Sequence, residues 1–295
     1  MKHRAVGNWP RWCAALAAVA LCGGCSQHEC ADCEGDTDAD SDTDTDVDTD
    51  ADTDSDTDDL ECHQDSANCD ATEENVYGVC VGQSTVDIAA GTVGMGQDGA
   101  HQVAVDSFRM DRMPVTNELY LNCVACGVCT RPAYDGSFSG REPYYGNERF
   151  ADHPVIYVSW QQARDFCTGR GMDLPAEAQW ELAARGGEGR SYPWGEDAPG
   201  SRLANYGYRV GDTSELPGYP DGATPEGALD MAGNVWEWVL DGYAPDYQPA
   251  PDLAIKVIRG GSFGSLAEDI AAYVRESEHQ DATASTIGFR CAATD

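Results

Sequence analysis

Basic residues are scarce in this sequence. Lysine and arginine total 18 of the 295 residues, against 52 aspartates and glutamates, and the formal net charge is -34 at pH 7. A nucleic-acid partner needs clustered basic side chains to neutralise its phosphates, so the composition argues against that class of partner. What remains is an acidic, well-solvated surface, which a calcium-rich environment would tolerate.

Long apolar runs are also missing. After the N-terminus, no stretch approaches the ~20 apolar residues that a membrane-spanning helix needs. Residues 1–24 show three basic residues and then a short apolar run, which is the pattern of a signal peptide. Small residues precede Cys25, as in a bacterial lipobox, so we predict that Cys25 is the lipidated first residue of an exported protein.

Two neighbours of Cys25 bear on this prediction. Leu21 lies four positions before the cysteine instead of the usual three, so ordinary signal cleavage is the alternative. Ser26 follows the cysteine, rather than the aspartate associated with retention in the inner membrane. We therefore expect a lipid anchor in the cell envelope, with the outer membrane or cell surface preferred.

The segment 25–83 contains an aspartate-rich run without an apolar face that could be buried. From residue 36 to residue 59, aspartate alternates with Thr, Ser, Ala or Val, and like charges at this density repel one another. We predict a disordered, extended stalk. Calcium binding by alternate aspartates is the other interpretation, but the run has neither the glycine turn nor the bidentate glutamate of a calcium-binding loop.

Cysteine, in contrast, is abundant, and 13 cysteines indicate an oxidising compartment. Cys123, Cys126 and Cys129 are three residues apart. We expect a disulfide between two of them, with one left over, rather than a zinc site, because no histidine lies nearby. Five further cysteines flank the aspartate-rich run and are expected to form local disulfides of undetermined pairing: Cys30, Cys33, Cys62, Cys69 and Cys80.

Residues 84–295 have the mixed composition of a globular domain. Alternation of apolar and polar residues predicts strands, and a glycine-punctuated turn is expected at residues 91–96. The predicted strands are 86–88, 101–108, 257–263 and 287–291.

Three helices are predicted from their end signals. The first is capped by Thr116, and the second begins with a capping box at Ser159 and runs to Gly169. The third has Pro175 in its first turn and ends at Gly186. The long region 192–252 has little regular structure, and bound metal is the usual way to order such a loop.

Several motifs occur in an order that resembles the formylglycine-generating enzyme (sulfatase-modifying factor) family over residues 84–295. They are 114–117 (PVTN), 153–160, 174–181 (LPAEAQWE), 192–195 (YPWG), 230–238 (DMAGNVWEW), 259–262 (RGGS) and 288–291 (GFRC). The resemblance implies an α+β fold, a loop-rich variant of the C-type lectin fold with bound calcium.

The resemblance also implies specific site residues. One calcium site would use the side chains of Asp230 and Glu237 and the carbonyls of Gly233 and Val235; the alternative is a turn without an ion. A second would begin at Asn205 and the Tyr206 carbonyl, with Asp212 as our candidate for its downstream carboxylate. Cys167 and Cys291 match a family disulfide. All these residue types are present, and oxygen-only ligation suits calcium.

The family's catalytic pair is missing. In the oxidase, two cysteines just after Gly-Gly-Ser bind copper and attack a substrate cysteine, whereas here Ser265 stands at the first position. No cysteine lies between Cys167 and Cys291, and a serine hydroxyl does not replace a thiolate as a soft Cu(I) ligand. Copper is therefore not expected. The iron site of the related sulfoxide synthases is not expected either, because the six histidines include no H-x-x-x-H.

The sequence supports two classes of function. The preferred one is a surface-displayed, calcium-stabilised binding or structural module for an unknown protein, peptide or glycan. The alternative is an oxidoreductase of the formylglycine-generating type, or another activity in the same pocket. Polar side chains that could line such a pocket are Ser262, Ser265, Arg259 and Arg275.

Overall fold

The computed structural model of this chain describes residues 73–77, 79–82, 85–247 and 253–294. The predictions for the signal peptide, for Cys25 and for the aspartate-rich stalk at residues 36–59 lie outside the described residues. Within the described residues, no helix combines the length and the hydrophobicity that crossing a membrane requires.

The described chain contains strands, three α-helices and two short 3-10 turns. The strands are β1 (Glu73–Val76), β2 (Val79–Gly82), β3 (Thr85–Ile88), β4 (Gly91–Met95), β5 (His101–Val105), β6 (Phe108–Asp111), β7 (Trp236–Gly242), β8 (Ile255–Arg259), β9 (Arg275–His279), β10 (Ile287–Phe289) and β11 (Ala292–Thr294). The helices are α1 (Asn117–Ala125), α2 (Trp160–Gly169) and α3 (Glu177–Arg185), and the 3-10 turns are Glu148–Phe150 and Pro220–Gly222.

A four-stranded sheet of order β10-β7-β8-β9 divides the core. Its strands are antiparallel except for the β10–β7 pair. Successive side chains of a strand point to opposite faces, so Trp238 packs in a cluster with α1 and α2, whereas Val239 packs in another with α3, β4 and β6. The smaller sheets are β11-β6-β3 and the hairpins β4-β5 and β1-β2.

The helix ends follow the predicted signals at most positions. Thr116 caps α1 and Ser159 forms a capping box with Gln162 at α2, as predicted. Gly186 ends α3 with a φ of 65°, a conformation that favours glycine. Pro175, however, lies before the first turn of α3, because the helix begins after Ala176, whose N–H donates to the Gln179 side chain.

Between residues 91 and 108 the structure differs from the predicted strand and turn. Residues 101–108 form two strands instead of one, because Asp106 and Ser107 are exposed and the chain passes from the β4-β5 hairpin to the β11-β6-β3 sheet. Residues 91–95 form β4 instead of a turn, because Val93 and Met95 are buried and this pairing outweighs the glycines.

The folded chain begins earlier than residue 84. The β1-β2 hairpin lies in the segment predicted to be stalk, and Tyr77 beside it is 5% exposed. The Tyr77 hydroxyl donates to the Phe166 carbonyl at 2.9 Å, which attaches the hairpin end to α2. Strand β9 was also not predicted.

Disulfides join distant and local parts of the domain. Cys167 is bonded to Cys291, as the resemblance implied, and this bond links α2 to the end of the chain. Cys123 is bonded to Cys129, which confirms the predicted local disulfide. Cys126 is disulfide-bonded as well. The prediction that one of these three cysteines is left over is therefore wrong.

Candidate functional site

The segment 230–238 is held in place by backbone hydrogen bonds that it donates to two other loops. The Gly233 N–H donates to the Gly260 carbonyl and the Asn234 N–H to the Asn205 carbonyl, both at 2.8 Å. Gly233 has a φ of 78°, and a Cβ there would collide with the Asn205 carbonyl oxygen. The glycine is therefore required for the close approach of the two loops.

Glu237 lies at the centre of a buried polar network. Its carboxylate is 1% exposed and accepts two hydrogen bonds of 2.7 Å from Arg290, one to each oxygen. Oε2 accepts a further bond of 2.7 Å from the Trp180 indole. A carboxylate offers about four acceptor positions, so Oε1 retains one that Arg290 does not occupy.

Asp230 is the second buried carboxylate of this segment. It is 5% exposed and accepts one long hydrogen bond, from the Gly218 N–H at 3.4 Å. Burial raises the pKa of Asp230 to about 7, although the Arg290 charge opposes this shift. A carboxylate that is buried with so few donors is one that a cation would stabilise.

The first predicted calcium site fits these residues. Asp230 and the open position on Glu237 Oε1 would contribute side-chain oxygens, and the carbonyls of Gly233 and Val235 would complete the set, which is the oxygen chemistry that calcium prefers. Carbonyls would be needed, because residues 85–247 and 253–294 contain no group of three His, Cys, Asp or Glu arranged to hold a metal. This calcium site stays a prediction.

The second predicted site is brought together only in part. Asn205 Oδ1 is buried and makes no hydrogen bond to the described residues, as expected of an atom that could bind a cation. The Asn205 amide nitrogen donates to the main-chain carbonyl of Asp212 at 2.8 Å, not to its carboxylate.

The Asp212 carboxylate already accepts hydrogen bonds from neighbouring residues on both oxygens. Its Oδ2 accepts hydrogen bonds from the Ser137 hydroxyl and from the N–H and hydroxyl of Ser139, and its Oδ1 accepts one from the Thr213 N–H. Burial alone would raise the pKa of Asp212, but these hydrogen bonds outweigh it and the pKa is lowered. Asp212 therefore stabilises the loop at 137–139, and few of its acceptor positions remain for a metal.

The loop after β8 contains the serines at the position of the family's chemistry. The Ser262 N–H donates to Ser265 Oγ at 2.9 Å, and the two hydroxyl oxygens are 3.4 Å apart. The loop at 207–208 lies against this turn, with Gly207 N–H donating to the Ser265 carbonyl at 2.8 Å. In the described part of the chain, no histidine hydrogen-bonds to either serine, so no hydrolytic triad is formed.

The two arginines predicted to share a pocket with these serines do not do so. Arg259 is fully buried and donates to Glu181 at 2.6 Å and to Glu177 at 3.3 Å. Arg275 donates to both oxygens of Glu177 at 2.7 Å. Because these charges neutralise one another inside the domain, Arg259 and Arg275 belong to a structural ion network rather than to a site with Ser262.

An exposed group of rings borders the serine loop and was missed from the sequence. The rings of Phe138, Tyr208 and Phe263, which we call the aromatic patch, have centroids 5.5 to 6.0 Å apart. Phe263 is buried beneath, whereas Phe138 is 54% and Tyr208 is 55% exposed. The three residues come from separate loops without periodicity, so no sequence pattern indicates that they meet.

The chain is similar to known proteins in sequence and in fold. The family profile described as "Sulfatase-modifying factor enzyme 1-like domain" matches residues 74–295. A serine/threonine-protein kinase pkn1 of Chlamydia pneumoniae is 36% identical over 218 residues, which cover 65% of this chain and 34% of that protein. The chain therefore spans about a third of the length of that relative.

A second relative and a solved structure extend the comparison. The inactive C-alpha-formylglycine-generating enzyme 2 of Bos taurus is 37% identical over 167 residues, which cover 51% of this chain and 54% of that protein. The structure of Treponema denticola variable protein 1 has a TM-score of 0.61 at 23% identity and covers 76% of this chain and 98% of that one. This structural likeness concerns the fold alone, and it confirms the predicted α+β, C-type-lectin-like fold.

Proposed function

Because the chain belongs to the family of sulfatase-modifying factor enzyme 1-like domains, we propose that its domain is a binding module that keeps the fold without the thiol chemistry. One observation carries the proposal. All five cysteines whose side chains are described are in disulfides: Cys123, Cys126, Cys129, Cys167 and Cys291. None of these five is a free thiol, and the loop after β8 offers serine oxygens instead.

The serine loop does not supply what copper chemistry needs. Cu(I) prefers soft thiolate ligands, and a neutral hydroxyl is a poor substitute. Ser262 and Ser265 also hydrogen-bond within their own turn, which fits a structural role. The similarity to a relative named as an inactive formylglycine-generating enzyme supports the same conclusion.

The aromatic patch is the surface that we propose for binding. Phe138 and Tyr208 expose more than half of their area beside the serine loop, and Val210 and Leu266 on the same loops are 48% and 59% exposed. A soluble domain seldom exposes large apolar side chains together unless they meet a partner, and aromatic residues are enriched in binding surfaces. The patch would hold a peptide, a glycan or a surface of another envelope protein.

The proposal includes the setting of the domain. A lipid anchor on Cys25 and the aspartate-rich stalk would display the domain on the cell surface, clear of the membrane. Calcium on Asp230 and Glu237 would hold segment 230–238, and so would support the loops that border the patch. The supporting observations are the N-terminal sequence and the buried carboxylates described above.

A first experiment separates binding from oxidation. The mature chain is incubated with copper and oxygen and with a peptide that carries a Cys-x-Pro-x-Arg motif, and mass spectrometry follows the peptide thiol. We expect the thiol to remain unchanged. Conversion of the cysteine to formylglycine would contradict the proposal and support the alternative, an oxidoreductase.

A second experiment tests the patch itself. Peptide-display libraries and a glycan array are screened with the wild-type chain, and the selected ligands are measured again with Phe138→Ser and Tyr208→Ser. We expect both substitutions to weaken binding. Val128→Ser is the control, because it removes a 39% exposed apolar side chain that belongs neither to the patch nor to the serine loop. Ligands that tolerate both patch substitutions would show that the domain binds through another surface.

A further inference from the structure

A cleft of about 450 Å³ lies apart from the serine loop. The β4-β5 hairpin, the first turn of α3 and the chain around residues 241–247 form its walls, and Arg275 lies at its base. The volume falls in the range of small-ligand sites, roughly 300–1,000 Å³. Neither the family's missing cysteine pair nor the predicted calcium ligands line this cleft.

The positive charge at the base of the cleft belongs to Arg275 and is already paired with the Glu177 carboxylate. Arg275 gives two hydrogen bonds of 2.7 Å to Glu177, and its third arm donates to the Ala244 carbonyl at 2.5 Å. Its guanidinium also lies 4.2 Å from the centroid of the Tyr247 ring. An anionic ligand would have to displace Glu177, which is 4% exposed, and separating a buried ion pair is costly.

The negative charge at the rim of the cleft belongs to Asp241, and only one of its two carboxylate oxygens accepts a hydrogen bond from the described residues. Asp241 is exposed and lines the cleft. Its Oδ2 accepts the Glu177 N–H at 2.6 Å, at the start of α3. Oδ1 makes no hydrogen bond to any residue that the structure describes, so it is available to a donor that enters from solvent.

The remaining walls suit an apolar or aromatic group. Met95, Val103 and Ala178 contribute aliphatic surface. His101 and Tyr247 stack face to face, with centroids 5.0 Å apart and an interplanar angle of 8°. The cleft thus combines a carboxylate that has one unoccupied oxygen with an apolar wall and a flat pair of rings.

We propose that this cleft is a second binding site, for a small organic ammonium ion that carries an apolar or aromatic body. The ammonium group donates to Asp241, and the body lies against the hairpin and the stacked rings. The chain's net charge of -34 attracts a cationic ligand and repels an anionic ligand of similar size. The site is independent of the aromatic patch.

The test compares two probes of one shape and opposite charge. Binding of 2-phenylethylammonium and of phenylacetate to the full mature chain is measured by ligand-observed NMR titration. We expect 2-phenylethylammonium to bind with a Kd of about 1 mM or tighter, and phenylacetate to bind at least about tenfold more weakly, a difference of about 1.4 kcal/mol. Equal binding of the two, or no binding of the amine, overturns the proposal.

Two variants and a control locate the site. Asp241→Asn keeps an oxygen to accept the Glu177 N–H but removes the charge, and we expect it to weaken amine binding at least about tenfold. Ala178→Leu fills the cleft and should weaken it as well. Glu278→Gln removes an exposed carboxylate on β9, and amine binding should persist. Thermal melting confirms that each variant is folded, and unchanged binding by folded Asp241→Asn would assign the amine to another place.

Discussion

Arg290 and Glu237 form a bidentate pair inside the domain, with two hydrogen bonds of 2.7 Å and at most 1% of either side chain exposed. Arg290 also donates to the carbonyls of Asp111, Arg112 and Leu229. One guanidinium thus joins β7 to the end of β6 and to the loop that precedes segment 230–238. The pair connects the sequence motif at 288–291 with the one at 230–238.

Glu237→Gln should destabilise the domain strongly. The substitution leaves the Arg290 charge buried without its partner, and breaking a buried pair on one side costs about 3–5 kcal/mol. Urea unfolding followed by tryptophan fluorescence measures the change. Arg164→Gln is the matched control: its pair with Asp173 is 39% and 33% exposed, and exposed pairs contribute only about 0–1 kcal/mol. Equal losses of unfolding free energy in the two variants would show that the buried Arg290–Glu237 pair stabilises the domain no more than the exposed pair does.

The parts of the fold that were predicted are those with local signals. Thr116 and Ser159 start helices through hydrogen bonds within three residues, so the sequence alone indicates them. Strand β9 (Arg275–His279) contains no apolar alternation, because its residues are charged or polar and it lies at the edge of the sheet. Its strand conformation comes from pairing with β8, which no local pattern indicates.

In the candidate site, too, residues with a local signal were predicted and their long-range partners were not. Asp230 and Glu237 were named from one short motif, but the partner of Glu237 lies 53 residues away in sequence, and its role as a charge pair was not predicted. Arg259 and Arg275 were named with Ser262 and Ser265 as polar side chains for lining a pocket. Their side chains turn instead to Glu177 on α3, which depends on tertiary packing.

His153 should make stability depend on acid pH. Burial lowers the pKa of His153 from 6.5 to about 4, with the Arg141 charge adding to the shift. Between these two values the unfolded chain binds the proton and the folded domain does not, so the free energy of unfolding rises with pH. This contribution is complete above pH 6.5 and is lost as the pH falls towards 4.

The substitution His153→Phe isolates this contribution. It keeps ring contacts with Tyr144 and Phe150, whose centroids are 5.9 and 5.2 Å away. We expect unfolding curves between pH 4 and 6.5 to show a smaller slope of stability against pH than in the wild type. His279→Phe removes an exposed imidazole and distinguishes the effect of burial from the loss of any histidine. An unchanged slope in His153→Phe would contradict the assignment.

The Cys167–Cys291 and Cys123–Cys129 disulfides should contribute unequally to stability. Cys167 and Cys291 are 124 residues apart, whereas Cys123 and Cys129 are 6 apart. In the chain-entropy model these loops correspond to about 5 and about 2 kcal/mol. Replacing each pair by alanines and measuring urea unfolding should therefore give the larger loss for the long loop. The reverse order would show that the local bond stabilises the domain by another mechanism.

Calcium should stabilise the domain more at pH 8 than at pH 5. Burial raises the pKa of Asp230 from 3.8 to about 7. Without metal, the folded domain therefore binds a proton between these values that the unfolded chain has released, and the free energy of unfolding falls as the pH rises from 3.8 to about 7. Calcium would neutralise the carboxylate at pH 8, but at pH 5 it must displace the proton first.

The measurement is the melting temperature with calcium and with a chelator at both pH values. At a calcium concentration a hundredfold above its Kd, the expected stabilisation is about 2.7 kcal/mol, or roughly 5–10 °C for a domain of this size. Asp230→Asn keeps an oxygen ligand but removes the charge, so it should lose most of the calcium effect and the fall in stability between pH 3.8 and 7. Asp87→Asn, on the exposed face of β3, should behave as the wild type. A wild-type melting temperature that the chelator leaves unchanged at pH 8 would rule out the calcium site, whereas the metal-free pH dependence would still test the burial of Asp230 by itself.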